Sequence, residues 1–277
     1  MRRCLALLLL LVAPAWAATP EPSPDELRFI TANAEFTLLH EMGHLLISEL
    51  QLPVLGREED AADQLGFMGL FLLYDQQADA DFYARLLDVA DYWRLEAERT
   101  RGSAEQIPLW DSHSLDEQRF FNIACLAYGS DPQRLEWIVA STGLPEERAL
   151  YCDQEYAQVH HAVNWLLERF HRPADRPARG RIEVVYDEPP ANQANGRAMQ
   201  AAIRASGELE RVASRASSSF ELPRNLTLRV SACGTPDAWF NSVSGELTLC
   251  YELLGHFHEL ARSLPDLQRR RAVLGGD

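Results

Sequence analysis

The sequence predicts an α+β fold, mostly helical, with a small antiparallel sheet or hairpin in its C-terminal part. Three observations carry this. Across residues 26–170 the apolar positions recur at helical spacing. At 171–181 the composition changes to Arg-Pro-Ala-Asp-Arg-Pro-Ala-Arg-Gly, a linker signal. Beyond it, short runs alternate as strands do: Ile182–Tyr186, Leu226–Cys233 and Glu246–Tyr251.

Taken in order, residues 1–17 read as a secretory signal. Arg2 and Arg3 form a charged start, Leu5–Val12 an apolar run, and Ala15-Trp16-Ala17 a small-x-small cleavage site. The run is too short to span a membrane, and no later stretch reaches spanning length. An exported, soluble chain, periplasmic or secreted, is therefore expected. Residues 18–25, rich in proline, read as a mobile leader. Losing the signal removes two arginines and no acid, which moves the formal charge from −15 to −17. Such a balance argues against nucleic acid or an anionic membrane surface as partner.

A helix follows over about 26–51, ended by Pro53 and Gly56, and it carries His40-Glu41-Met42-Gly43-His44. Histidines four apart share a helix face, so both imidazoles can bind one metal ion. Glu41 is rotated about 100° away, where it can take a proton from a water activated by the metal. Leu38, Leu39, Leu45, Leu46 and Ile47 surround this trio with apolar surface. Fifteen residues after His44, Glu59 and Asp63 stand one turn apart at the start of the next helix, about 57–74. Glu59 completes a His₂Glu zinc site, while Asp63 accepts a hydrogen bond from the outward nitrogen of a ligand histidine. Glu58 is the alternative ligand; Glu59 is preferred because only it has an Asp at i+4.

Further helices are expected over about 78–99, from 115 through Cys125, over about 131–142 and over 145–170. A polar helix is expected at about 192–219, and a helical tail from Leu253. Asn241–Gly245 reads as the turn of a hairpin whose arms are 226–233 and 246–251. After loss of Cys4, four cysteines remain. Of their three possible pairings, Cys125–Cys152 and Cys233–Cys250 close short loops within each half.

Having these motifs together, the segments His40-Glu-Met-Gly-His44, Leu52-Pro-Val-Leu-Gly-Arg-Glu-Glu-Asp-Ala-Ala-Asp63, His113-Ser-Leu-Asp-Glu-Gln-Arg119 and Cys125-Leu-Ala-Tyr-Gly-Ser-Asp131 resemble a bacterial family of gluzincin-like metallopeptidases. In that family the strand-rich part with two cysteines precedes the H-E-x-x-H helix. Here the matching stretch, Cys233-Gly-Thr-Pro-Asp-Ala-Trp-Phe-Asn-Ser…Cys250-Tyr-Glu-Leu253, follows it, so the chain reads as circularly permuted. The resemblance implies that the C-terminal strands fold back against the metal helix into one composite unit. It also implies an edge strand, resembled by Ala238-Trp239-Phe240, that pairs with an extended substrate. Asp237 stands where the family pattern has Asn.

The expected function is a zinc-dependent peptidase acting on a peptide or protein. His40, His44 and Glu59 would hold Zn²⁺, Glu41 would be general base, and His113 would stabilise the oxyanion, with Tyr128 behind it. The alternative is a secreted binding or regulatory protein, stabilised by zinc but without turnover. The sequence has no phosphate-binding glycine loop, no serine-nucleophile elbow and no dinucleotide fingerprint.

Overall fold

The computed structural model describes residues 22–74, 79–103, 109–173, 175–191, 193 and 196–263. The expected signal segment, residues 18–21 of the leader and the part of the expected helical tail beyond residue 263 lie outside these residues. The helix α1 spans Pro24–Leu50. It begins two residues earlier than periodicity suggests because Ser23 caps it: the Ser23 hydroxyl accepts from the Glu26 amide, and the Glu26 carboxylate accepts from the Ser23 amide. Proline is tolerated in that first turn. Apart from its ends, α1 is buried on nearly every side, its polar Asn33, Glu35, His40 and Glu41 included. It is the axis of the molecule.

Packed on α1 are α2 (Glu58–Tyr74), α3 (Ala80–Gly102), and, from the C-terminal part, α9 (Glu208–Ser219) and α10 (Tyr251–Ser263). On the far side of α3 stands α4 (Asp116–Ser130), followed by α5 (Glu136–Thr142), α6 (Glu146–Ala149) and α7 (Cys152–Phe170). Cys125 of α4 is bonded to Cys152 at the start of α7. The polar stretch expected as one helix at 192–219 is two, α8 (Gly196–Ser206) and α9, broken at Gly207, whose φ of 63° a residue with a side chain rarely adopts.

The mostly helical α+β class holds, but the strand pairing differs from the hairpin expected. The strands β1 (Ile182–Tyr186), β2 (Leu226–Ser231), β3 (Ala238–Asn241) and β4 (Glu246–Cys250) form one sheet in the order β1-β2-β4-β3. β1 runs parallel to β2, and β2 parallel to β4; only β3 and β4 are antiparallel. The hairpin turn at 242–245 therefore joins β3 to β4, not 226–233 to 246–251. Parallel neighbours need a returning connection, and β3 supplies it along the outer edge of β4. Cys233, just past β2, is bonded to Cys250 at the end of β4. Two disulfides suit an oxidising compartment. No helix among the described residues is long and apolar enough to cross a membrane.

Candidate metal centre

Close packing of α1 on α2 builds the site. A side-chain carbon added at Gly43 would lie 3.0 Å from the Ala62 Cα, and one at Gly66 3.0 Å from the His40 backbone nitrogen. Only glycine lets the helices approach this far. The approach brings the first turns of α2 to the histidine face of α1. The structure thus collects His40, His44 and Glu59: Nε2 to Nε2 is 3.3 Å, His44 Nε2 to Glu59 Oε2 3.0 Å, and His40 Nε2 to the same oxygen 3.3 Å.

The outward nitrogens are committed. His40 Nδ1 donates to Asp63 and His44 Nδ1 to Glu58, each at 2.8 Å. An ionised carboxylate only accepts, so both Nδ1 atoms carry a hydrogen, and with neutral rings the two Nε2 lone pairs would face each other across 3.3 Å. Lone pairs this close need a proton or a cation between them. Zinc held at about 2.0–2.1 Å in a tetrahedral shell sets its donors about 3.3 Å apart. The observed 3.0–3.3 Å separations fit that edge.

The charges agree. Burial pulls the His40 imidazolium down, but bonds to Asp63 and Glu59 prevail and lift its pKa to about 9. Glu59 is held at about 2, chiefly by its bond from His40 and against partial desolvation. Asp63 is pushed up by burial and brought below the usual carboxylate range by the Arg119 guanidinium and His40. Arg119 in turn lies over the Trp93 ring, 3.4 Å from its centroid.

Glu41, 8 % exposed, projects elsewhere on α1; burial raises its pKa, and the charges of Glu59 and Asp237 push the same way against those of the two histidines. His113, in the turn before α4, brings Nε2 to 3.0 Å from Glu59 Oε2, while Asp111 accepts from both its Nδ1 and its amide. A ring of bonds fastens this turn to α2: Arg57 donates to the His113 carbonyl and the Ser114 hydroxyl, and both Arg57 and Ser114 donate to Asp60. With 45 % of its side chain exposed, His113 marks the side on which the centre meets solvent. Tyr128 instead packs on the Cys125–Cys152 cluster.

β3 is an outer strand of the sheet and packs against α1. Trp239 is exposed, whereas Phe240 is half-buried against the core. The Cys250 amide donates to the Asp237 carbonyl. By antiparallel alternation, the main-chain groups of Ala238 and Phe240 then face away from β4. Sequence reasoning assigned no role to Arg119, Asp111 or the Arg57 ring. Arg119 meets Asp63 across 56 residues and Arg57 meets Ser114 across 57, so no local pattern marks them. Asp111 is only two residues from His113, but nothing in that polar loop singles it out.

No curated protein and no solved structure is significantly similar to the chain. A family model described as a putative metallopeptidase does match, over residues 15–167 and 186–271, so that both the histidine helix and the strand-rich part fall within it. Two imidazoles and a carboxylate already converge on α1 and α2, and with a match over most of the sequence the kinship is plain: the chain belongs to the putative metallopeptidase family.

Proposed function

We propose that the protein is an exported zinc metallopeptidase that hydrolyses peptide bonds. The convergence of His40 Nε2, His44 Nε2 and Glu59 Oε2 at 3.0–3.3 Å carries the proposal. These three would hold Zn²⁺, with Asp63 and Glu58 orienting the rings. When bound, the metal polarises the scissile carbonyl and acidifies a water. Glu41, its pKa raised by burial, takes the water's proton and passes it to the leaving amine. His113, held by Asp111, would donate to the developing oxyanion. An extended substrate would pair with the open side of β3, beside exposed Trp239 and half-buried Phe240.

Glu41→Gln tests the assignment. The variant is expected to retain zinc and lose hydrolysis of a broad peptide library; cleavage at the wild-type rate would remove Glu41 from its role. His113 also favours a rival. Its Nε2 lies 3.0 Å from Glu59, and a fourth protein donor would make the shell closed, as in structural zinc sites. Stoichiometric zinc with no cleavage by the wild-type chain would decide for a zinc-stabilised binding protein.

A further inference from the structure

On a face of α1 adjoining that of the histidines lies a cavity of ≈ 360 Å³ between α1, α2, α7 and α9. Neither His40 nor His44 lines it; its stripe on α1 runs through Met42, Leu46 and Leu50. Every lining residue from α1, α2 and α7 is apolar or glycine. The polar ones, His171, Arg215, Ser218 and Ser219, gather at one end, where the last turns of α9 meet the residue that follows α7. No acid lines the cavity, in a chain with 41 Asp and Glu against 26 Lys and Arg. Arg215 has no carboxylate partner among the described residues, whereas Arg211, one turn earlier, is paired with Glu35.

The volume lies in the range of small-molecule sites, roughly 300–1,000 Å³, and apolar cavities take apolar guests. Its polarity is segregated, with a long greasy wall and a cationic end. We propose that this cavity binds a single-chain amphiphile with a carboxylate head, a medium-chain fatty acid by class. The chain lies along Leu46, Leu72 and Leu167, and the carboxylate meets the Arg215 guanidinium, with His171 as a second donor.

The test is calorimetric titration of the zinc-loaded protein with saturated fatty acids of six to twelve carbons, and with alcohols of the same lengths, below their micelle concentrations. Affinity should rise about fourfold per methylene until the cavity is full. Acids should bind about tenfold or more tightly than the matching alcohols. Arg215→Glu, at an exposed position, should abolish the acid's advantage while leaving the alcohols unaffected. Ala216→Phe, which fills the cavity, should weaken both; should it not fold, Arg215→Glu decides alone. Length-independent affinity, equal binding of acid and alcohol by the wild type, or a preference that survives Arg215→Glu overturns the proposal. So does loss of binding on metal removal, which would mean that the carboxylate had been captured at the metal centre.

Discussion

Replacing Gly66 with alanine places a methyl group 3.0 Å from the His40 nitrogen and 3.2 Å from its Cα, both main-chain atoms that cannot swing aside. Ordinary contact begins near 3.4 Å, so α2 must retreat by about 0.4 Å. Glu59 and Asp63 ride on α2, whereas His40 and His44 ride on α1. The retreat therefore falls directly on the donor set. It stretches the 2.8 Å His40–Asp63 bond toward about 3.2 Å, the outer limit of a good hydrogen bond. It also exceeds the roughly 0.2 Å tolerance of a metal–ligand distance. Zinc affinity should fall about 10–100-fold, the scale seen when a ligand's orienting contacts are lost. Stability moves less, because overpacking costs about 1–3 kcal/mol while alanine returns about 1 kcal/mol of helix propensity. Gly255→Ala is the control, since nothing lies within 4 Å of its added carbon. Competition against a chromophoric chelator, with thermal melts of both variants, reads the two effects separately. Wild-type zinc affinity in Gly66→Ala would refute the claim that helix approach builds the centre.

Asp63→Asn should lower zinc affinity about 10–100-fold and, by leaving buried Arg119 without a carboxylate, cost about 3–5 kcal/mol. The matching change at Glu58, whose side chain is half exposed, should matter less; the reverse order in a zinc titration would argue against this assignment. In the metal-free protein, His40 has its pKa raised from 6.5 to about 9. Its contribution to stability is complete below about pH 6.5 and disappears as pH rises through 9. Metal-free melting temperature should therefore drop from pH 6.5 to 9.5, while zinc affinity climbs as the competing proton leaves; a flat metal-free profile would contradict the His40–Asp63–Glu59 coupling. Reducing the two disulfides, which span separations of 27 and 17 residues, should cost about 3 kcal/mol each. That is a fall of roughly 10 °C per bridge, and unchanged melting after thiol titration shows both open would count against it.

The spacing of four between His40 and His44, and between Glu59 and Asp63, was enough to put each pair on one helix face, because helix periodicity is local. What Glu58 does is not local. Its carboxylate reaches His44 Nδ1 because α2 crosses α1 at Gly43, Gly66 and Gly69, and a crossing angle is set by packing between helices. Arg119 is further removed, meeting Asp63 across 56 residues of chain. The sheet failed for a related reason. Alternation marks a strand but not its neighbour, so 226–233 and 246–251 read as hairpin arms although β3 lies between them in sequence and returns along the outer edge. Gly207 split the 192–219 helix with no change in polarity to announce it.

The strand-rich part does more than cover the metal helix. Glu35, five residues before His40, is wholly buried and accepts from Arg85 of α3, Arg211 of α9 and Tyr74 of α2. Arg85 also donates to Glu208, so two carboxylates face two guanidinium groups. Burial raises the Glu208 pKa to about 7 against those cations. Bringing four charges out of water leaves little net stability, but it penalises misplacement, since α9 docked in any other register strands Glu35 without Arg211. At the other end of α1, Glu49 accepts from Arg224, which also donates to the carbonyls of Ser242 and Val243 in the β3–β4 turn. The histidines thus lie between two acids gripped by arginines of the C-terminal part. One of those arginines also holds the turn beyond β3. α1 and the outer strand are fixed to each other through side chains outside the His40–His44–Glu59 cluster, so a damaged Glu49–Arg224 pair would displace β3 before it disturbed His40 or His44.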